Sequence, residues 1–258
     1  METGTKGNDQ FANLLSPLRL NGVELRNRIV STGHGTRLAD NHIVSDRLQA
    51  YHETRARGGA GLIITEAAMV SEDSVVSASH LVVADDSIIP SLSQLARRVQ
   101  AHGTRLFGQL FHLGHEKFQE VDGRRAVAPG PSSDPSERYH TAARAMKTGE
   151  IRNLVNRYGE AATRMRKAGL DGVEVAASHG YLLAQFLSPV INRRSDAYGG
   201  SFDNRLRFIR EILDTVRERI GPDLVMGLRI SGDELTAEGL EAEQVLPFVM
   251  HLPDNLIT

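Results

Sequence analysis

Cysteine is absent from all 258 residues, so the chain has no disulfide, no thiolate metal site and no cysteine nucleophile. A chain without a disulfide framework reads as intracellular, and here as cytoplasmic. An excess of charge is lacking too: 30 Lys and Arg face 32 Asp and Glu, for a formal net charge of -2. Nothing in that balance calls for nucleic acid or an anionic membrane surface. No stretch approaches the ~18 consecutive apolar residues of a membrane helix, and the opening METGTKGNDQ lacks the apolar core of a signal peptide. Residues 1–10, of Gly, Thr, Asn and Asp character, read as a disordered leader. Low-complexity tracts and domain linkers are also missing, which leaves residues 11–258 as one unit. Small-molecule chemistry is the class these absences leave open.

Short β-branched runs alternate with longer stretches of helical period, the pattern of βα units around a parallel sheet. Strands are expected at residues 28–31, 61–66, 106–110, 172–176 and 225–230. Helices are expected at 45–57, 91–102, 150–168 and 204–220, with one more at 241–250. Gly58, Gly103, Gly169 and Gly221 each follow a helix, where a residue free to take positive φ ends it. Ahead of the first unit, residues 16–18 and 23–25 flank Asn21-Gly22, a dipeptide suited to a tight hairpin that would plug the barrel bottom. The fold expected is α/β, a (β/α)₈ TIM barrel of which five to six units are present. The last eight residues leave no room for three further strands, so this chain alone would not close the barrel.

Two connections exceed the others, residues 111–148 and 178–203, and both follow strands. In a barrel they would lie at the C-terminal face, where active sites are built. The second begins with Ser178, His179 and Tyr181. An imidazole beside a phenol can bind an oxyanion and deliver a proton; a packed Tyr and a hydrogen-bonded core His remain the alternative. The glycines at residues 58–61 do not make a dinucleotide fingerprint, because they precede a strand and that motif follows one.

The stretch DGVEVAASHGYLLAQFLSPVINRRSDAYGGSFDNRLRF, residues 171–208, resembles the best-known motif of the old yellow enzyme family. Its loop N-x-R-x-D-x-Y-G-G-S-x-x-N-R falls on Asn192, Arg194, Asp196, Tyr198, Gly199, Gly200, Ser201, Asn204 and Arg205. The resemblance extends from Phe11 to Gly239 through FANLLSPLRLNGVELRNRIV, GGAGLIITEAA, GQLFHLGH and GLRIS. It implies an FMN oxidoreductase taking hydride from NADH or NADPH and passing it to an activated alkene of the 2-enoate or dienoyl-CoA type. Tyr181 would be the proton donor and His179 would hold the substrate carbonyl. Gly33, His34 and Gly35 would offer backbone to the flavin, Ala67 would let the ring approach, Gln109 would meet the pyrimidine edge, and Arg229 would sit by N1 and O2. His112 belongs to the motif without a role. Ala176 stands where the family commonly has a second donor, which resembles the 2,4-dienoyl-CoA reductase and trimethylamine dehydrogenase branch. That branch adds oxidative N-demethylation of a methylated amine as an alternative activity, and an inactive truncated fragment is a third reading. An iron-sulfur cluster is implied only for a longer relative, and the partners implied are a small-molecule substrate and, at most, further copies of the chain.

Overall fold

The computed structural model describes residues 9–250, 252, 256 and 257. Of the expected leader, residues 1–8 lie outside the described residues. Asp9–Phe11 forms a 3-10 turn leading into a short helix, α1 (Ala12–Leu15), so ordered chain begins earlier than residue 11. The hairpin follows as β1 (Leu18–Leu20) and β2 (Val23–Leu25), with Asn21 and Gly22 at φ 40° and 83°. Two consecutive positive φ values match the right-handed twist of the arms. The first arm lies two residues later than the sequence suggests, since a two-residue turn fixes the register Leu20↔Val23.

The units then run in order. They comprise β3 (Val30–Ser31) and α2 (Asp46–Arg57); β4 (Leu62–Met69), β5 (Leu81–Val82) and α3 (Ile89–Gln100); β6 (Arg105–Phe111), a ribbon of β7 (Ala128–Gly130) and β8 (Ala143–Ala145), and α4 (Thr148–Lys167). Next come β9 (Gly172–Ala177) with α5 (Leu182–Leu187) and α6 (Phe202–Ile220), then β10 (Val225–Ile230) with α7 (Ala242–Met250), and β11 (Leu256–Ile257). Strands pair in the order β11-β10-β9-β6-β4-β3, with β5 beside β4, and every pairing in this sheet is parallel. This is the arc of a (β/α)₈ barrel, and it does not close on itself among the described residues.

Side chains alternate across the arc, as the two-residue period of strands requires. Val173, Val175, Met226 and Leu228 point outward and pack with Leu95, Val155, Ile209 and Val216 of the surrounding helices. The inward set is layered. At the bottom, Leu62, Ile64, Phe107 and Val225 meet Leu25 and the partly buried Leu18, Leu20 and Val23 of the hairpin, which plugs that end. Arg26 ties the hairpin to the helix ends, donating to the carbonyls of Ala56 (2.9 Å), Ala60 (3.1 Å) and His102 (2.8 Å).

One terminator differs from expectation. Gly58 stays helical at φ -70°, and Gly59 takes the positive φ, 103°, that turns the chain into β4. The other differences are short elements inside the long connections. The β7–β8 ribbon and α5 lie there, and β11, two residues long, gives the start of a sixth unit.

Candidate active site

Four parallel strands bring one row of inward positions to the same height. Ala67 of β4 pairs with Gln109 of β6, Gln109 with Glu174 of β9, and Glu174 with Gly227 of β10. One step higher, Ala176 pairs with Arg229. The sequence therefore places an amide, a carboxylate and a guanidinium on the inner face where the strands end. Ala67 is the one residue of β4 that is not buried, so the row has an open surface.

A bulge in β4 sets this level. Ile64 pairs with Phe107 but Ala67 with Gln109, so β4 carries one more residue than β6. The extra residue frees Thr65 to accept from the Gln109 backbone N–H at 3.2 Å, and turns Glu66 toward the loop after β3. There Glu66 accepts from the Thr36 backbone N–H at 2.6 Å and from the Thr36 hydroxyl. Burial pushes the Glu66 carboxyl above its ordinary range, against the lowering effect of these bonds.

Gly33 lies against the row. A Cβ there would come 2.6 Å from the Thr65 carbonyl and 2.9 Å from Gln109 Nε2, closer than any side chain tolerates. Gly35 has nothing within 4 Å of a built Cβ and stands exposed. His34 sends its ring away from the row, with Nε2 2.5 Å from Tyr51 Oη, so it offers the row backbone alone. Gln109 Nε2 donates to Glu174 Oε1 at 2.7 Å, and its amide oxygen accepts no hydrogen bond among the described residues. Glu174, which sequence reasoning missed, is pushed up by burial, with Gln109 and Arg229 pulling it down. The signal was present: an acid at the inward parity of an otherwise apolar strand, GVEVAA. Half-buried Arg229 makes no ion pair or hydrogen bond among the described residues. A fixed, unpaired guanidinium on a strand is costly unless a ligand uses it.

The residue pair of the motif follows β9. His179 has φ 61°, a strained value for a non-glycine residue, and its backbone N–H reaches Ser231 Oγ at 3.2 Å. Its Nδ1 lies 2.7 Å from Ser178 Oγ, which leaves Nε2 outward on an exposed ring. Burial, then the charges of Arg229 and Arg138, hold the imidazole below its ordinary value, so it is neutral at pH 7. Tyr181 packs edge-on against Phe111 at the end of β6, with centroids 4.5 Å apart at 67°. Ala176, Phe111 and Tyr181 thus form an apolar shelf beside Ala67.

Buried Gln185 of α5 fixes this shelf, accepting from the His115 N–H (3.1 Å) and donating to the Leu113 (3.2 Å) and Gly180 (2.8 Å) carbonyls. His112, the motif residue without an expected role, is a brace. Its Nδ1 accepts from Gly114 N–H at 3.0 Å, and its Nε2 faces Asp73 Oδ1 at 3.3 Å. The recognition loop is scaffolding as well. Asn192 donates to the Phe186 and Tyr198 carbonyls, and Arg194 to the Pro131 and Met146 carbonyls, stapling the fourth loop to the third.

This donor set fits a flavin: an amide with a free acceptor, an unpaired guanidinium, and small residues where a flat ring would lie. A family model described as the NADH:flavin oxidoreductase / NADH oxidase family matches residues 13–256. An N,N-dimethylglycine/sarcosine dehydrogenase of Chromohalobacter salexigens is 36% identical over 234 residues, 89% of this chain and 33% of that protein. An NADPH dehydrogenase of Bacillus pumilus is 37% identical over 232 residues, 88% of this chain and 66% of that protein. A solved 2-naphthoyl-CoA reductase superposes with TM-score 0.85 at 30% identity, covering 93% of this chain and 38% of its own. The chain thus spans a third of the length of the first relative and about two thirds of the second.

Proposed function

The chain belongs to the NADH:flavin oxidoreductase / NADH oxidase family, and from that membership we propose that it is the flavin-face portion of an FMN-dependent oxidoreductase acting on a small molecule. The observation that carries this reading is the unpaired Arg229 guanidinium one step above the Gln109 amide, on a face lined by Ala67 and Gly33. FMN, when bound, supplies the hydride acceptor and donor between NADH or NADPH and substrate. Gln109 would offer both amide donor and acceptor to the pyrimidine edge, as N3–H and O2 require. Arg229 would hold negative charge on the reduced ring. Gly33, Gly35 and the backbone of His34 would leave room for the rest of the group.

For an activated alkene, neutral His179 donates from Nε2 to the substrate carbonyl while Tyr181 delivers the proton to the carbon beside the one that takes hydride. Ala176 gives the carbonyl no second donor. That absence favours a second reading, oxidative N-demethylation of a methylated amine, in which no carbonyl clamp is needed. The name of the Chromohalobacter relative points the same way.

The first test is an absorption spectrum of the purified chain: a flavin band that survives desalting is expected, and a colourless chain removes the reading. The second is Tyr181→Phe. Flavin bleaching by NADH or NADPH should keep its rate, while reoxidation by a 2-enoate or enoyl thioester should slow about 100-fold or more. Unchanged reoxidation would remove Tyr181 as the proton donor, and bleaching by a methylated amine would establish the second reading.

A further inference from the structure

Glu174 stands on β9 between Gln109 of β6 and Gly227 of β10, which the strand register places at its own height. Gly227 offers no side chain, and Gln109 is the neighbour left across the row. Gln109 is buried, 6% exposed, and its Nε2 donates to Glu174 Oε1 at 2.7 Å, the short distance of a charge-assisted bond. Its amide oxygen accepts nothing among the described residues, yet it is not sealed inside the protein, so it faces the open surface of the row.

Direction is the first consequence. The two ends of an amide are nearly equal in size, and a neighbour such as Gln, Ser or Thr both donates and accepts, so it holds the amide either way round. A carboxylate only accepts, and only the nitrogen end satisfies it. Charge is the second consequence. Arg229 stands two residues beyond Gly227 on β10, about 7 Å along the strand. Its cation acts on Glu174 without forming an ion pair with it among the described residues. A half-buried acid costs free energy on a strand where Val or Leu would pack, so its presence here calls for work that an apolar side chain does not do.

We propose that Glu174 is a positioning residue of the cofactor site: it holds the Gln109 amide with nitrogen toward β9 and oxygen toward the open face, and sets a negative charge one step below Arg229. The inference rests on the flavin reading and deepens it. A flat ring laid on the row meets an acceptor of fixed direction, and its reduced, negatively charged form gains less from Arg229 than from a lone guanidinium.

Side-chain amide NMR of the full chain without FMN tests the direction. With Gln109→Ala to assign the signals, one Nε2 proton of Gln109 should lie downfield of its partner and be protected from exchange. In Glu174→Gln that asymmetry should be lost, since the new amide accepts either end. Amide protons of Gln109 that match those of exposed glutamines would overturn the inference, and they are read with Glu174 in place, so they decide even if Glu174→Gln does not fold. With FMN bound, dye-linked reduction tests the charge. Glu174→Gln should raise the flavin midpoint potential by about 30 mV or more, a tenfold shift in a two-electron equilibrium, in the parent and in the Gln109→Ala background alike. Glu174→Asp, which keeps the charge, should restore the parent's value. A packing role alone would move urea midpoints and leave the potential in place, and that result also overturns the inference. A colourless chain with the amide signature intact upholds the fixed amide and removes the flavin reading. Flavin retained by a chain without the signature removes the role of Glu174 alone.

Discussion

Single side chains carry two kinds of expectation. His52 of α2 is buried, and neither ring nitrogen has a hydrogen-bond partner among the described residues. Burial first, then the charges of Arg55 and His34, push it from 6.5 down to about 4. The unfolded chain therefore binds the proton more readily between those values, and folding stability is lost as pH falls from 6.5 toward 4. At pH 4.5 the loss from this one ring is about 2–3 kcal/mol. A His52→Leu variant should lose less stability than the parent between pH 7 and pH 4.5 by that amount, as read from urea midpoints. Gly33 carries an expectation about the site. Gly33→Ala drives a methyl into the Thr65 carbonyl and the Gln109 amide. FMN affinity, followed by flavin fluorescence quenching, should fall at least tenfold, about 1.4 kcal/mol. The placement of Gln109, Arg229, His179 and Tyr181 toward the strand ends was legible in the sequence because motif spacing marks them. Glu66 and Arg138 were not, since their relation to the site arises from a bulge and from a loop folded back over it.

Elements repeat the lesson at larger size. The helix–glycine–strand rhythm was readable because each helix buries a face against the sheet, and this fixes its period. β5, β7, β8 and β11 were not readable: two or three residues hold too little pattern, and pairing partners alone make them strands. The hairpin was readable from Asn21-Gly22, but its depth in the barrel was not. Leu25 has no exposed surface and meets Leu62, Ile64, Phe107 and Val225. Leu25→Ala should cost about 2–5 kcal/mol in urea unfolding. An effect below 1 kcal/mol would mean that the plug is not part of the cooperative core. The loop from Asn192 to Arg205 makes a related point, since the most recognisable run in the sequence is a staple between the third and fourth loops.

At the scale of the molecule, the site is a set of strand ends, so any ligand laid across them joins units distant in the chain. FMN bound to the folded chain and not to the unfolded one should raise unfolding free energy by about 2.7 kcal/mol at 100 times its Kd. Urea midpoints with and without FMN read this directly, and coincident midpoints would mean that the row does not hold the cofactor. No described helix is long and apolar enough to cross a membrane. The sequence by itself determined the βα units, their order, the family and the residue types of the inward row, because local period and motif spacing are written along the chain. Only tertiary structure decided that Arg229 is left unpaired among the described residues, that His34 turns its ring away, and that Glu116 is buried. Those are properties of distances between segments well separated in the chain, set by strand register and by the bulge in β4, and no local pattern encodes them.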